Sequence, residues 1–186
     1  MFRSVEHKTL GAKITEVLAT VFLMRACALA AVAFFQAVGL ISLDFSDNVP
    51  LLGVSANALL HHFHLTVNQA LASPWVVMGV IVTIVGAPFA EEIAFRWFFC
   101  RSCASDAGGN LIPGGKGAGT VLLGSFLLFG LAHGQGYFSL LIQGVSGLWL
   151  ARLFFRNGPD LKTAYFSCVA AHSLYNTMIV METWLF

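Results

Sequence analysis

The chain has 186 residues, of which 58% are hydrophobic and only 10% charged, and its mean hydropathy is +0.79. Soluble domains carry about 25% charged residues, so the composition excludes an ordinary soluble protein and predicts a polytopic integral membrane protein built as an all-α helical bundle. The formal net charge of +1 gives no indication of nucleic-acid binding. The length favours one domain, so we assign residues 1–186 to a single membrane domain.

Five apolar segments are long enough, or nearly so, to cross a bilayer as helices, which takes about 20 residues each. Lys and Arg occur before the first segment and in the connectors after the second and fourth, but not in the other connectors. By the positive-inside rule this pattern predicts a cytoplasmic N-terminus and five crossings. The five predicted transmembrane helices cover residues 16–43, 75–102, 118–134, 137–155 and 161–186.

One histidine cluster and one cysteine pair lie outside the helix interiors, and neither has the partners of a metal site. His61, His62 and His64 lie in the connector 44–73 without an acidic or cysteine partner nearby, so we interpret them as part of a surface helix or lid. Cys100 and Cys103 form a single CxxC at a predicted helix end, which favours packing over metal or redox chemistry.

Several ionisable residues fall inside the predicted helices, where a charge costs several kcal/mol unless it is paired or faces a cavity. Glu92 and Arg96 are four residues apart, as are His172 and Asn176, so each pair lies on one helix face. Arg25 lies near the start of the first helix, and we expect it to snorkel to the cytoplasmic interface. The full set is Arg25, Glu91, Glu92, Arg96, His133 and His172, with the polar residues Gln143 and Asn176.

The depths of these groups predict a common site. Counted from the cytoplasmic helix ends, Glu91, His133 and His172 lie roughly 16–22 Å into the membrane, at a rise of 1.5 Å per residue. A glutamate pair and two histidines at one level suit hydrolysis: a carboxylate held by a histidine takes a proton from water, and a second histidine with an adjacent amide stabilises the oxyanion. Alternatively, two histidines and a glutamate hold a divalent metal such as zinc that activates the water, although the HExxH signature is absent.

Three short motifs carry a resemblance to a known family. "EEIAFR", residues 91–96, resembles the EExxxR motif of the CPBP family, the CAAX-protease and bacteriocin-processing membrane proteins. "FGLAH", residues 129–133, is similar to its FxxxH motif, and "HSLYN", residues 172–176, to its HxxxN motif. Each motif alone is weak, but three in order on separate predicted helices are specific. The resemblance covers a core of residues 75–180.

The resemblance implies an intramembrane protease, with type II CAAX prenyl endopeptidases as the best-known branch. By that similarity Glu91 and His133 activate water, and His172 and Asn176 form the oxyanion site. Glu92 and Arg96 would then support Glu91. We favour a glutamate-type protease that requires no cofactor, with a metal as the alternative. Trp97 departs from the family pattern, which usually has Gly after the arginine.

The implied partner is a membrane-associated protein or peptide substrate, such as a C-terminal membrane anchor or a lipidated tail. A chain this short is similar to prokaryotic family members, so we expect a location in the cytoplasmic (inner) membrane.

Other functions are compatible with the sequence. "GVSG", residues 144–147, is similar to the GxSG of rhomboid serine proteases, in which Ser146 would be the nucleophile and His172 its base. A non-catalytic membrane protein that binds a peptide or confers immunity could use the same cavity. A proton-coupled transporter is a third possibility, which five helices without a repeat make less favourable.

Overall fold

The computed structural model describes residues 8–39, 73–104, 118–133, 139–157 and 160–185. These ranges form five helices and contain no strand, which confirms the prediction of an all-α bundle. Two helices, Leu10–Ala37 and Pro74–Cys100, are long and apolar enough to cross a membrane by themselves. The His61–His64 cluster and the connector segments 44–72 and 105–117 lie outside the described residues.

The helix bounds differ from the predicted ones mainly in the first helix. This helix, α1, spans Leu10–Ala37, so it begins and ends six residues before the predicted limits of 16 and 43. Its start is fixed by the Thr9 hydroxyl, which accepts a hydrogen bond from the amide of Ala12. Its end is followed by Gly39 at φ +71°, a conformation that glycine adopts without steric cost.

The other four helices follow the predicted segments closely. Helix α2 is composite: α-helical turns at Pro74–Ile81, Ala87–Glu92 and Arg101–Ala104 are joined by π-helical turns at Val82–Gly86 and Ile93–Cys100. Helix α3 spans Ala118–Ala132, α4 begins as a π-helical turn at Leu140–Gly144 and continues over Val145–Asn157, and α5 spans Leu161–Leu185.

Small residues on α4 let α3 approach it closely. A Cβ atom added at Gly147 would lie 2.6 Å from Cβ of Phe129 and 2.9 Å from the carbonyl oxygen of Ser125, so only glycine fits there. Close backbone approach through small residues is a common way for membrane helices to associate. The contact matters for the candidate site because Phe129 and Ser125 both touch its residues, as shown below.

An ion pair and a hydrogen bond join the start of α1 to the end of α4. Lys8 Nζ lies 2.7 Å from Glu16 Oε1, and Arg156 Nη2 at the end of α4 lies 2.9 Å from the same oxygen. Lys8 also donates to the carbonyl of Arg156. The start of α1 and the end of α4 therefore lie on the same side of the bundle, as the charge pattern of the connectors requires.

The expected snorkelling of Arg25 is wrong. Its guanidinium instead forms a two-point ion pair with Glu182 near the end of α5, with Nε 3.1 Å from Oε1 and Nη2 bound to Oε2. Arg25 lies 15 residues beyond Leu10, about 22 Å along α1, which is far from the interface at the start of that helix. A carboxylate within reach stabilises the charge better than a long stretch to the interface.

Adding a methyl group at Gly147 tests the close contact between α3 and α4. We expect Gly147→Ala to destabilise the folded protein by about 1–3 kcal/mol, because backbone and Cβ atoms cannot move aside easily. Gly119→Ala is the matched control, since a Cβ there meets no atom within 4 Å. Reversible unfolding in lipid bicelles measures both, and equal stabilities for the two variants would contradict the packing.

Candidate active site

A fully buried ion pair lies at the centre of the bundle. Glu92 and Arg96 are both 0% exposed, and Nε of Arg96 lies 3.0 Å from Oε2 of Glu92. The N–H is not aligned on the oxygen, so the contact is a close ion pair rather than a directed hydrogen bond. Both residues lie on α2: Glu92 ends the α-helical turn Ala87–Glu92, and Arg96 lies in the π-helical turn that follows. Removing two charges from water costs several kcal/mol each, so the surrounding groups must compensate.

The guanidinium is held by a short relay to α3 and α4. Nη1 of Arg96 donates to Oγ of Ser125 at 3.1 Å, and Ser125 donates to the carbonyl of Gly147 at 3.0 Å. The guanidinium also lies over the ring of Phe129, 5.1 Å from its centroid, a favourable cation–π distance. The orientation of Arg96 thus depends on the close approach of α3 and α4.

His172 on α5 binds the other oxygen of Glu92. Its Nδ1 lies 2.9 Å from Oε1 of Glu92, and the ring is almost completely buried. A carboxylate beside a guanidinium acts as an acceptor, so Nδ1 of His172 carries the hydrogen. Nε2, the other ring nitrogen, faces Glu91, at 3.9 Å from its Oε2.

His133 follows the last turn of α3 and has the same tautomer for a different reason. Its Nδ1 lies 2.7 Å from the carbonyl oxygen of Phe129, which can only accept, so Nδ1 again carries the hydrogen. Its Nε2 lies 3.7 Å from Oε2 of Glu91. The ring of Phe129 packs against both His133 and His172, with centroids 4.8 and 5.6 Å apart.

Oε2 of Glu91 is the atom on which the two histidines converge. This oxygen is buried and makes no hydrogen bond within the described part of the chain, although the side chain as a whole is 29% exposed. Each neutral histidine presents an Nε2 lone pair to it, so three acceptors face one another. Such a group is stable only when a donor, such as a water molecule or an additional proton, lies among them.

Asn176 is positioned by a break in the backbone bonding of α2. Pro88 has no N–H, so the carbonyl of Thr83, five residues earlier, cannot receive the next bond of the π-helical turn. Nδ2 of Asn176 donates to that carbonyl at 2.9 Å. One hydrogen of the amide is therefore used to join α5 to α2, and the second remains for another acceptor.

Ser146, the alternative nucleophile, is hydrogen-bonded within its own helix. Ser146 is buried and donates to the carbonyl of Ile142 in its own helix at 3.0 Å. Both nitrogens of His172 lie within 4 Å of glutamate oxygens. This bonding gives no support to a Ser146–His172 dyad.

A regular tetrahedral zinc ion would need Glu91 closer to the two histidines than it lies here. Ligands of a tetrahedral zinc with bonds of about 2.0–2.1 Å lie roughly 3.3–3.4 Å from one another, whereas the Nε2–Oε2 distances here are 3.7 and 3.9 Å. Across the described ranges no group of three His, Cys, Asp or Glu side chains is arranged to hold a metal ion. The expectation that no metal is required stays a prediction.

Several residues that organise the site were not found from the sequence. Ser125 lies four residues before Phe129 in an otherwise apolar helix, and a small polar residue at that position was a detectable signal.

Tyr165 donates to the carbonyl of Phe89 at 3.1 Å and packs edge-on against Trp97, with ring centroids 5.9 Å apart. Trp97 thus fills the space between α2 and α5.

A carboxylate beside two histidines inside a helical bundle is chemically able to activate water. Residues 73–178, more than half of the chain, match the family described as type II CAAX prenyl endopeptidase Rce1-like. The chain belongs to this family, a result that supports a CAAX-type intramembrane endopeptidase and an integral membrane protein. No curated protein and no solved structure was found to match the chain.

Loss of the buried ion pair and a change at Glu91 are expected to differ in their effect on folding. Arg96→Ala leaves the buried Glu92 charge without its partner, so we expect a loss of about 3–5 kcal/mol in unfolding free energy. Glu91→Gln keeps the volume of a half-buried side chain and should change stability by less than about 1 kcal/mol. Unfolding in bicelles compares them, and a Glu91→Gln variant as unstable as Arg96→Ala would contradict this division.

Proposed function

We propose that the protein hydrolyses a peptide bond of a membrane-associated protein or peptide, with water activated by Glu91 and His133. The observation that carries the proposal is the convergence of two Nε2 atoms on Oε2 of Glu91, at 3.7 and 3.9 Å. The family match supports proteolysis, and the geometry supports these residues as the catalytic ones.

The attacking water would bridge Glu91 and His133. Two straight hydrogen bonds of about 2.8 Å from one water reach acceptors roughly 4.4 Å apart, so modest bending of both bonds spans the 3.7 Å between Oε2 and Nε2. Because both atoms accept, the water donates both hydrogens and turns a lone pair towards the substrate carbonyl. Glu91 takes one proton as the water attacks, and then returns it to the leaving amide nitrogen.

His172 and Asn176 would stabilise the oxyanion. His172 already donates through Nδ1 to Glu92, so it can donate to the oxyanion only through a protonated Nε2. Asn176 would donate its second amide hydrogen to the oxyanion, because the first is bonded to the carbonyl of Thr83. Glu92 therefore acts on the reaction through His172, and Arg96 through Glu92.

The substrate would reach Glu91 from the bilayer. Ala90, Ile93 and Ala94, which flank the carboxylate on α2, are exposed on the side of the bundle. A membrane anchor or lipidated tail beside this face would present its peptide backbone to the site without crossing the core. The charged ends of α1, α4 and α5 would lie at the cytoplasmic face of an inner membrane.

Cleavage assays with separate Glu91 and Ser146 variants test this mechanism. In vesicles with a candidate anchored peptide, we expect Glu91→Gln to lower the rate of cleavage by at least about 10²-fold, because the general base is lost. Ser146→Ala should retain most of the activity, and Glu16→Gln is the control for loss of a distant carboxylate. Loss of cleavage in Ser146→Ala with full activity in Glu91→Gln would overturn the assignment.

The same assay in the presence of a chelator separates the two ways of activating water. We expect full activity after prolonged incubation with a chelator, because Glu91 and His133 suffice to bind and deprotonate the water. Activity lost with the chelator and restored by a divalent ion would replace this mechanism with a metal-assisted one.

A further inference from the structure

An elongated groove runs along the outside of the bundle between α1 and α5. It has a volume of about 550 Å³ and is open along its length. Its wall is mostly apolar, formed by Ile14 and Leu18 on α1 and by Phe166 and Leu174 on α5. From Lys162 to Leu174 it extends 12 residues along α5, or about 18 Å, which is comparable to the thickness of one leaflet of the hydrocarbon core.

Positive charge is confined to one end of this groove. Lys13 lies in the first turn of α1 and Lys162 is the second residue of α5, so both ammonium groups lie at the end where these helices begin. The remaining length is lined by apolar and small side chains. The groove therefore combines a cationic end with an apolar wall.

The nearby carboxylates are occupied by other groups. Glu16 binds Lys8 and Arg156. Asp160 accepts from the hydroxyl and amide of Thr163 and from the backbone amide of Lys162, and these bonds hold the pKa of Asp160 below its ordinary value, with a smaller contribution from the charge of Lys13. Within the described residues neither Lys13 nor Lys162 forms an ion pair at 4 Å or less.

The groove is separate from the candidate active site. Phe166, Ala170 and Leu174 repeat every four residues on one face of α5, and His172 lies two positions from Ala170, about 200° around the helix. An occupant of the groove consequently faces away from Glu91. A peptide bound there for cleavage would be on the wrong side of α5, whereas a lipid needs only the charge and the apolar wall.

We propose that this groove binds one anionic phospholipid, with its phosphate between Lys13 and Lys162 and an acyl chain along Ile14, Leu18, Phe166 and Leu174. The lipid would fill the seam between α1 and α5 and support the helix that carries His172. Anionic headgroups near a bilayer surface are attracted by each lysine, and the apolar wall distinguishes this site from simple surface charge.

Native mass spectrometry of the full chain tests the proposal with phosphatidylglycerol as the probe and phosphatidylcholine as the uncharged comparison. The wild type should retain one phosphatidylglycerol in preference to phosphatidylcholine. Lys13→Gln combined with Lys162→Gln should weaken this binding about tenfold or more. The matched control neutralises Arg101 and Arg152, which stack on Trp97 and Trp149 outside the groove, and should bind like the wild type.

A second variant blocks the wall and leaves the lysines intact. Ala170 is exposed in the groove, so Ala170→Trp should exclude the acyl chain and also lower phosphatidylglycerol retention. This variant answers the question even when the double lysine variant fails to fold. Unchanged binding in either folded variant would overturn the proposal. Equal losses in the lysine and arginine variants would also overturn it, because general surface charge would then explain the binding.

Discussion

The buried charges of Glu92 and Arg96 determine how the other parts of the centre are arranged. Because neither side chain has access to solvent, every compensation must come from the neighbouring helices. Helix α3 supplies Ser125 and the ring of Phe129, and α5 supplies His172. The ion pair, formed within one helix, thus fixes the relative positions of three helices around it.

Each of the two histidines carries its hydrogen at a defined ring nitrogen, and only that of His172 depends on the ion pair. Glu92 orients His172, and the carbonyl of Phe129 orients His133, so both rings turn the same nitrogen towards Glu91. A backbone carbonyl for His133 and a buried carboxylate for His172 each accept the hydrogen on Nδ1 and leave Nε2 facing Glu91. Neighbouring glutamates consequently have different surroundings: Glu92 is enclosed and paired, whereas Glu91 keeps a partly open side chain beside two acceptors.

Much of the helical arrangement could be predicted from the sequence, because apolar length and the distribution of Lys and Arg report directly on membrane crossing. Spacing also identified the pairing of Glu92 with Arg96, since i and i+4 residues meet on one face. The bond from Asn176 to Thr83 could not be predicted, because it depends on a carbonyl that Pro88 leaves without a backbone donor. The partner of Arg25 was missed because the two residues are 157 positions apart and nothing local relates them.

That separation has a consequence for the biogenesis of the protein. Helix α1 is synthesised before α5, so Arg25 must enter the membrane before its counter-ion Glu182 exists. At 5–20 residues per second, the interval of 157 residues lasts about 8–30 s. An arginine near the centre of an inserting helix costs about 2.5–3.5 kcal/mol at the translocon, which the long apolar stretch around it offsets. Closure of α5 on α1 is then a late step of assembly, and the nascent chain carries an unmatched charge until that step.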